Sequence, residues 1–150
     1  MEIERKYLIS TMPTDLDSFE HHEIEQGYLS TGPVVRVRKS DDDYYLTYKG
    51  GGMMAREEYN LPLNESSYLH LIAKADGNII SKTRYLIPLD DSLTAELDIF
   101  HGVFSGMSLV EVEFDSIDAA DSFTPPDWFG EEVTYDKRFH NSYLSKMTVN

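Results

Sequence analysis

The sequence predicts a mainly β protein, α+β in class, whose seven or eight antiparallel strands close into a barrel flanked by a few helices. Three observations predict it. Strand-like segments recur along the whole chain, separated by turn residues and interrupted by only a few helical stretches. In these segments charges stand at i and i+2, so they share one face of the pleat. The signs are sorted by strand: cations in some, carboxylates in others. A solvent-exposed face has no need of such sorting. Closing the sheet turns that face inward and makes the interior a polar tunnel.

The first strand is Glu2-Ile3-Glu4-Arg5-Lys6-Tyr7-Leu8-Ile9. Glu2, Glu4 and Lys6 alternate onto one face, and Ile3, Arg5 and Tyr7 onto the other. Two carboxylates and a lysine on one buried pleat are costly unless something charged sits between them. A metal ion held by the acids, with a phosphate held by the lysine, satisfies all three. Met12-Pro13-Thr14-Asp15 then reads as a turn and the cap of a short helix reaching about His22. His21 and His22 lack the i, i+4 spacing of paired ligands on a helix and read as surface. Glu25 to Leu29 reads as a strand ended by Thr31-Gly32-Pro33.

Val34-Val35-Arg36-Val37-Arg38-Lys39 carries Arg36 and Arg38 on one face and Val35 and Val37 on the other. The turn at Asp41-Asp42-Asp43 leads into its hairpin partner, Tyr44 to Lys49. That aspartate run lacks the glycine and the downstream glutamate of a calcium loop and reads as a polar turn. Gly50-Gly51-Gly52 reads as a hairpin loop before a strand over Met53 to Leu61, where Arg56, Glu58 and Asn60 share a face. A helix follows from Leu63 to Ala75, capped by Asn64, with Tyr68, Leu69, Leu71 and Ile72 as its apolar stripe. Three more strands carry Lys82 with Arg84, Glu96 with Asp98, and Glu111 with Glu113. Ser116 to Ser122 reads as a short capped helix. Pro125 to Gly130 reads as a turn-rich lid or edge, with Trp128 and Phe129 in core packing. A last helix is expected from about Lys137 to Lys146.

Composition narrows the function. The chain has 150 residues, 41% of them apolar, which suits one globular domain, 1–150. No run of roughly 18 apolar residues is present, so no membrane span is expected. The charged opening lacks an apolar signal region, so a cytoplasmic protein is expected. Cysteine is absent, leaving oxygen ligands for any metal. A net charge of −14 argues against nucleic acid as a partner. Of only 13 lysines and arginines, seven fall in strand segments: Lys6, Arg36, Arg38, Lys49, Arg56, Lys82 and Arg84. A tunnel with a cationic wall and an acidic patch needs a multiply charged anionic guest and divalent cations. Triphosphate with magnesium or manganese fits that description.

These motifs resemble those of the triphosphate tunnel metalloenzymes, the CYTH superfamily. Glu2-x-Glu4-x-Lys6 matches the opening signature. Arg36-x-Arg38, Thr47-Tyr48-Lys49, Arg56-x-Glu58, Lys82-Thr83-Arg84, Glu96-x-Asp98 and Glu111-x-Glu113 follow in the expected order across essentially the whole chain. The resemblance implies an eight-stranded antiparallel β-barrel. It implies hydrolysis or cyclisation of triphosphates with a divalent metal, Mg2+ or Mn2+. Lys6, Arg36, Arg38, Lys49, Arg56, Lys82 and Arg84 would hold phosphate oxygens, and Arg138 would close one mouth. Glu2, Glu4, Glu111 and Glu113 would bind metal, with Glu58 and Asp98 as further ligands. Glu2, Glu4, Lys6, Glu111 and Glu113 would carry the catalysis. The short opening resembles the simple bacterial members that act on inorganic tripolyphosphate, as a monomer or homodimer. A class IV type adenylate cyclase and a non-catalytic polyphosphate or nucleotide binder are the alternatives.

Overall fold

The computed structural model describes residues 1–148. Ten strands are present: β1 (Glu2–Ile9), β2 (Glu20–Thr31), β3 (Val34–Ser40), β4 (Asp43–Lys49), β5 (Ala55–Arg56), β6 (Glu58–Leu63), β7 (Asp76–Pro88), β8 (Thr94–His101), β9 (Ser108–Glu113) and β10 (Phe129–Glu132). Every pairing is antiparallel, in the order β10-β1-β9-β8-β7-β2-β3-β4-β6. β5 closes this path between β1 and β6. It pairs with β1 through Glu2↔Arg56 and Ile3↔Ala55, and Glu57 connects it directly to β6. The sheet is therefore a nearly closed barrel. Taking β5 and β6 as one interrupted strand, eight staves surround the lumen, and β10 is added beside β5 on the outer edge of β1.

Alternation decides what lies on each side of the wall. Ile3 and Tyr7 of β1, Ala95 and Leu97 of β8, and Val110 and Val112 of β9 point outward. They are buried there against α2 (Ile117–Asp121) and the segment holding Phe123 and Phe129. Trp128 packs edge-to-face on Phe129 at 4.6 Å, so both serve the core. A second apolar group fills one end of the lumen. Tyr28, Val34, Ile80, Phe100 and Leu109 occupy inward positions and meet Leu144 and Val133. The plug is a 3-10 turn, Lys137–Phe139, followed by α3 (Asn141–Leu144). The rest of the inward face stays polar.

α1 (Glu65–Ile72) lies outside β2, β3 and β4, and its cap Asn64 accepts from Ser67 N at 2.7 Å, as the sequence predicts. Gly27 lets it approach: a Cβ there would stand 2.7 Å from both Ala75 Cβ and Ile72 Cδ1. Val37 is buried on the outer face as expected.

Three element expectations are corrected. Residues 14–22 do not form a helix. Only Leu16–Ser18 makes a 3-10 turn, and Asp15 gives no side-chain cap. Glu20 to Ile24 instead extends β2, because it finds a full ladder on Leu86 to Lys82 of β7. The strand expected over 53–61 is broken at Glu57, where the chain passes from β1 to β4 as a partner. The last helix shrinks to the 3-10 turn and the four residues of α3. Among the described residues no helix is long and apolar enough to cross a membrane.

Candidate active site

The lumen is a cavity of about 350 Å³. The pleat parity of the sequence carries over into its walls. Glu58 of β6, Glu2 and Glu4 of β1, Glu111 and Glu113 of β9, and Glu96 of β8 line an acidic arc of neighbouring strands. Lys82 and Arg84 of β7, Arg36 and Arg38 of β3 and Lys49 of β4 line the remainder. Lys6 of β1 and Arg56 of β5 are the cations within the acidic arc. β2 lies between β7 and β3 and contributes neutral groups, Gln26 and Tyr28. All seven strand cations named from the sequence thus reach one cavity in a protein whose net charge is −14.

Ion pairs hold part of this charge. Lys49 Nζ stands 2.7 Å from Glu2 and 3.6 Å from Glu58. Lys6 Nζ is 3.4 Å from Glu111 and donates to the Phe139 carbonyl at 3.0 Å. Arg84 reaches Glu96 at 2.9 Å and Asp98 at 2.8 Å. Burial pushes the Lys82 ammonium down to about 7, and Arg84 and Arg38 act in the same direction against the pull of Asp98.

Arg36 and Arg38 differ from these. They are 6% and 7% exposed, and among the described residues neither forms an ion pair with a carboxylate. Arg36 donates to Thr47 Oγ1 at 3.2 Å, while its Nε is buried without an acceptor. Arg38 Nε donates to Gln26 Oε1 at 2.7 Å. Burial and the neighbouring Arg36 and Arg84 charges lower its affinity for its proton. A buried guanidinium without a counter-charge is unfavourable unless an anion arrives.

The acidic arc has the complementary defect. Burial raises the Glu2 carboxyl to about 7, helped by a hydrogen bond shared with Glu58. Glu58 is held down to about 2: burial opposes this, but Glu2, Asn60, Lys49 and Arg36 together outweigh it. Burial, then the Glu111 and Glu2 charges, raises Glu4 well above the usual carboxylate range. Glu111 stays ionised against burial because Lys6 and Arg84 face it. Glu2 with Glu58, and Glu4 with Glu111, are thus carboxyl pairs whose burial and mutual charge a divalent cation would relieve, and the donors are all oxygen, as Mg2+ and Mn2+ require. Among the described residues no three acids or histidines converge as a ready cage. Mg2+ is ordinarily held by one or two carboxylates, with water and substrate phosphates completing its shell, so no such cage is needed.

Two expected site residues stand elsewhere. Asp98 shares the inward parity but is 1% exposed, and both its oxygens are taken by Lys82 and Arg84. It is the counter-ion beneath the cationic wall, and no oxygen is left for a metal. Arg138 is 71% exposed in its side chain, pairs with Asp136 at 2.6 Å, and is outside the cavity lining. Conversely, Gln26, Tyr28, Tyr45, Asn60, Glu96 and His140 to Ser142 line or support the cavity without having been assigned to it. Parity on β2, β4, β6 and β8 marks the first five. Nothing in the sequence marks the plug residues.

The CYTH domain family matches residues 1–148. The chain belongs to the CYTH family. It is similar to an inorganic triphosphatase of Nitrosomonas europaea, 42% identical over 96% of this chain and 96% of that protein. Another inorganic triphosphatase, of Acetivibrio thermocellus, is 34% identical over 97% and 93%. A crystal structure of an inorganic triphosphatase superposes on this CYTH chain with a TM-score of 0.74 at 38% identity, covering 100% and 97% of the two chains. A Pyrococcus furiosus protein shares the CYTH barrel at a TM-score of 0.59 and 19% identity, over 81% and 83%, a likeness of fold alone.

Proposed function

We propose that this CYTH protein is a divalent-metal-dependent triphosphatase that removes the terminal phosphate of triphosphates, inorganic tripolyphosphate first among them. The observation that carries this reading is the divided charge of the lumen: Arg36 and Arg38 are buried without a carboxylate partner, Arg36 Nε without any acceptor, while the Glu2 and Glu4 carboxyls crowd the acidic arc. The cavity requires an anion on one wall and a cation on the other. A metal triphosphate is both, and the CYTH relatives named inorganic triphosphatases support the assignment.

In this reading Lys6, Arg36, Arg38, Lys49, Arg56, Lys82 and Arg84 hold phosphate oxygens, the guanidinium groups as flat forks and the lysines as point charges. Glu2, Glu4, Glu58, Glu111 and Glu113 form the arc from which one or two carboxylates would hold Mg2+ or Mn2+, with water and substrate phosphates completing its shell. The cation supplies, when bound, neutralisation of phosphate charge and acidification of a coordinated water. Cationic side chains on neighbouring strands align the chain so that water meets the terminal phosphorus opposite the bridging oxygen. The water oxygen bonds to phosphorus, and the bridging oxygen leaves with its electron pair as pyrophosphate. The water's proton passes to an ionised carboxylate of the acidic arc. Lys82 and Arg84, already fixed by Asp98, stabilise the charge that develops on the leaving group.

Phosphate release from tripolyphosphate, ATP, GTP and pyrophosphate, with Mg2+, Mn2+ or a chelator, tests this. Tripolyphosphate should be cleaved at least as well as the nucleotides, pyrophosphate poorly, and nothing with chelator present. Preference for ATP with cyclic AMP as product would overturn the reading in favour of a cyclase. Tight tripolyphosphate binding without turnover under any metal would leave only a binder.

A further inference from the structure

β2 contributes no charge to the cationic wall, yet it lies between the two strands that hold Lys82 and Arg38. Gln26 is fully buried there, at 0% exposure. Its Oε1 accepts from Arg38 Nε at 2.7 Å. Its Nε2 donates to Tyr28 OH at 3.2 Å and to Asn141 Oδ1 of the plug at 3.3 Å. Asn141 Oδ1 also accepts from Lys82 Nζ at 3.1 Å. A chain of two neutral amides therefore runs from Lys82 to Arg38, presenting an oxygen to each cation.

Resting on the triphosphatase reading above, we propose that Gln26 and Asn141 are positioning residues whose amide bridge fixes Lys82 and Arg38 for the phosphate chain without adding a counter-charge to the one, Asp98, that Lys82 already has. The chemistry favours amides over the other side chains of similar size. An apolar residue at 26 would leave Arg38 Nε buried and unsatisfied. A carboxylate would satisfy it but would bind the cation as a resident anion and compete with phosphate. An amide accepts from the cation and keeps the net positive charge of the wall for the ligand. With Nε occupied, the two terminal nitrogens of Arg38 are the ones left for the lumen. Asn141 also makes the plug part of the binding wall and not only a stopper.

The test uses near-isosteric charge changes on the full chain: Gln26→Glu and Asn141→Asp, with Asn141→Ala beside them. Tripolyphosphate binding is measured by calorimetry without divalent metal, and hydrolysis is measured with Mg2+. Each added carboxylate should weaken metal-free binding at least roughly tenfold, the scale set by one extra charge at contact distance. KM should rise by a similar factor, with kcat changed much less. Asn141→Ala should weaken binding less than Asn141→Asp, while their melting temperatures stay close. Acidic variants that bind tripolyphosphate as tightly as the wild type would overturn the proposal. So would losses of binding that merely follow losses of melting temperature. A wild type that binds tripolyphosphate but never cleaves it would sink the hydrolase reading alone, and the binding comparison would still decide the bridge.

Discussion

Lys82 and Asp98 form a 2.8 Å ion pair in which neither side chain is more than 1% exposed. Arg84 holds the other oxygen of the same carboxylate at 2.8 Å, so one aspartate anchors two cations of the wall. Replacing Asp98 by Asn keeps the shape and removes the counter-charge. The variant should lose roughly 3–5 kcal/mol of unfolding free energy, because Lys82 is left buried without a counter-charge beside Arg84, which keeps only Glu96. Urea unfolding measures this. Added tripolyphosphate should restore more of the melting temperature in the variant than in the wild type. A loss under about 1 kcal/mol would mean that the pair is already neutral.

Glu4 and Glu2 should separate metal binding from folding. Burial and the Glu111 and Glu2 charges push the Glu4 carboxyl well above the usual carboxylate range, so Glu4→Gln keeps the shape and removes a charge that the site disfavours. Its metal-free melting temperature should match or exceed that of the wild type. Its Mg2+-dependent rate, like that of Glu2→Gln, should fall by at least about 100-fold, beyond the 10–100-fold typical of groups one shell behind a metal. Normal turnover in either variant would remove these carboxylates from the metal site.

Stability of the metal-free protein should depend on pH in a defined direction. The folded Glu2 carboxyl titrates at about 7, against 4.5 when unfolded. The folded state therefore holds the proton more tightly. That stabilisation is complete below pH 4.5 and is lost as pH rises through 7. Over this window the loss from Glu2 approaches roughly 3 kcal/mol, at 1.36 kcal/mol per pH unit. Lys82 acts above this window: its lowered value favours the folded state as pH climbs from about 7 toward 10.5. Melting curves from pH 5 to 7 should thus fall without metal and flatten with saturating Mg2+, which replaces the proton. A flat metal-free curve would contradict the raised Glu2 carboxyl.

Gly27 sets how closely α1 can sit. Gly27→Ala would press a methyl to 2.7 Å from Ala75 Cβ and Ile72 Cδ1. Overpacking of this kind costs about 1–3 kcal/mol. Chemical denaturation should show that loss, and adding Ile72→Ala should recover part of it by removing one of the two clashing groups.

Pleat parity made much of the site legible, because side chains two apart on a strand must share a face. Glu2, Glu4 and Lys6 could be placed together before any fold was known, and so could Arg36 with Arg38. Depth along a strand is a different quantity. Asp98 has the parity of Glu96, but its register opposite Arg84 and Leu109 puts it under the cations instead of at the lumen surface. Arg138 sits on a segment with no period to read, so nothing fixed its direction. The first part of β2 was hidden for a related reason. Glu20 to Glu23 is polar on both faces, and only the ladder to β7 makes it a strand. Gln26 was within a recognised strand but carries no charge, and its role depends on Asn141, 115 residues away in sequence.

The register of β1 also bears on the order of events at the ribosome. Lys6 opposes Glu111 and Tyr7 opposes Glu132, so the opening strand waits for partners made more than a hundred residues later. At roughly 5–20 residues per second, that delay is about 5–25 s. Through it, Ile3 and Tyr7 have only the two-residue ladder to β5 on offer. Such long-range closure is slow, and an unpaired apolar strand is exposed to strands of other chains. For this protein the hazardous interval falls during synthesis, before the wall that will hold the phosphate has been closed.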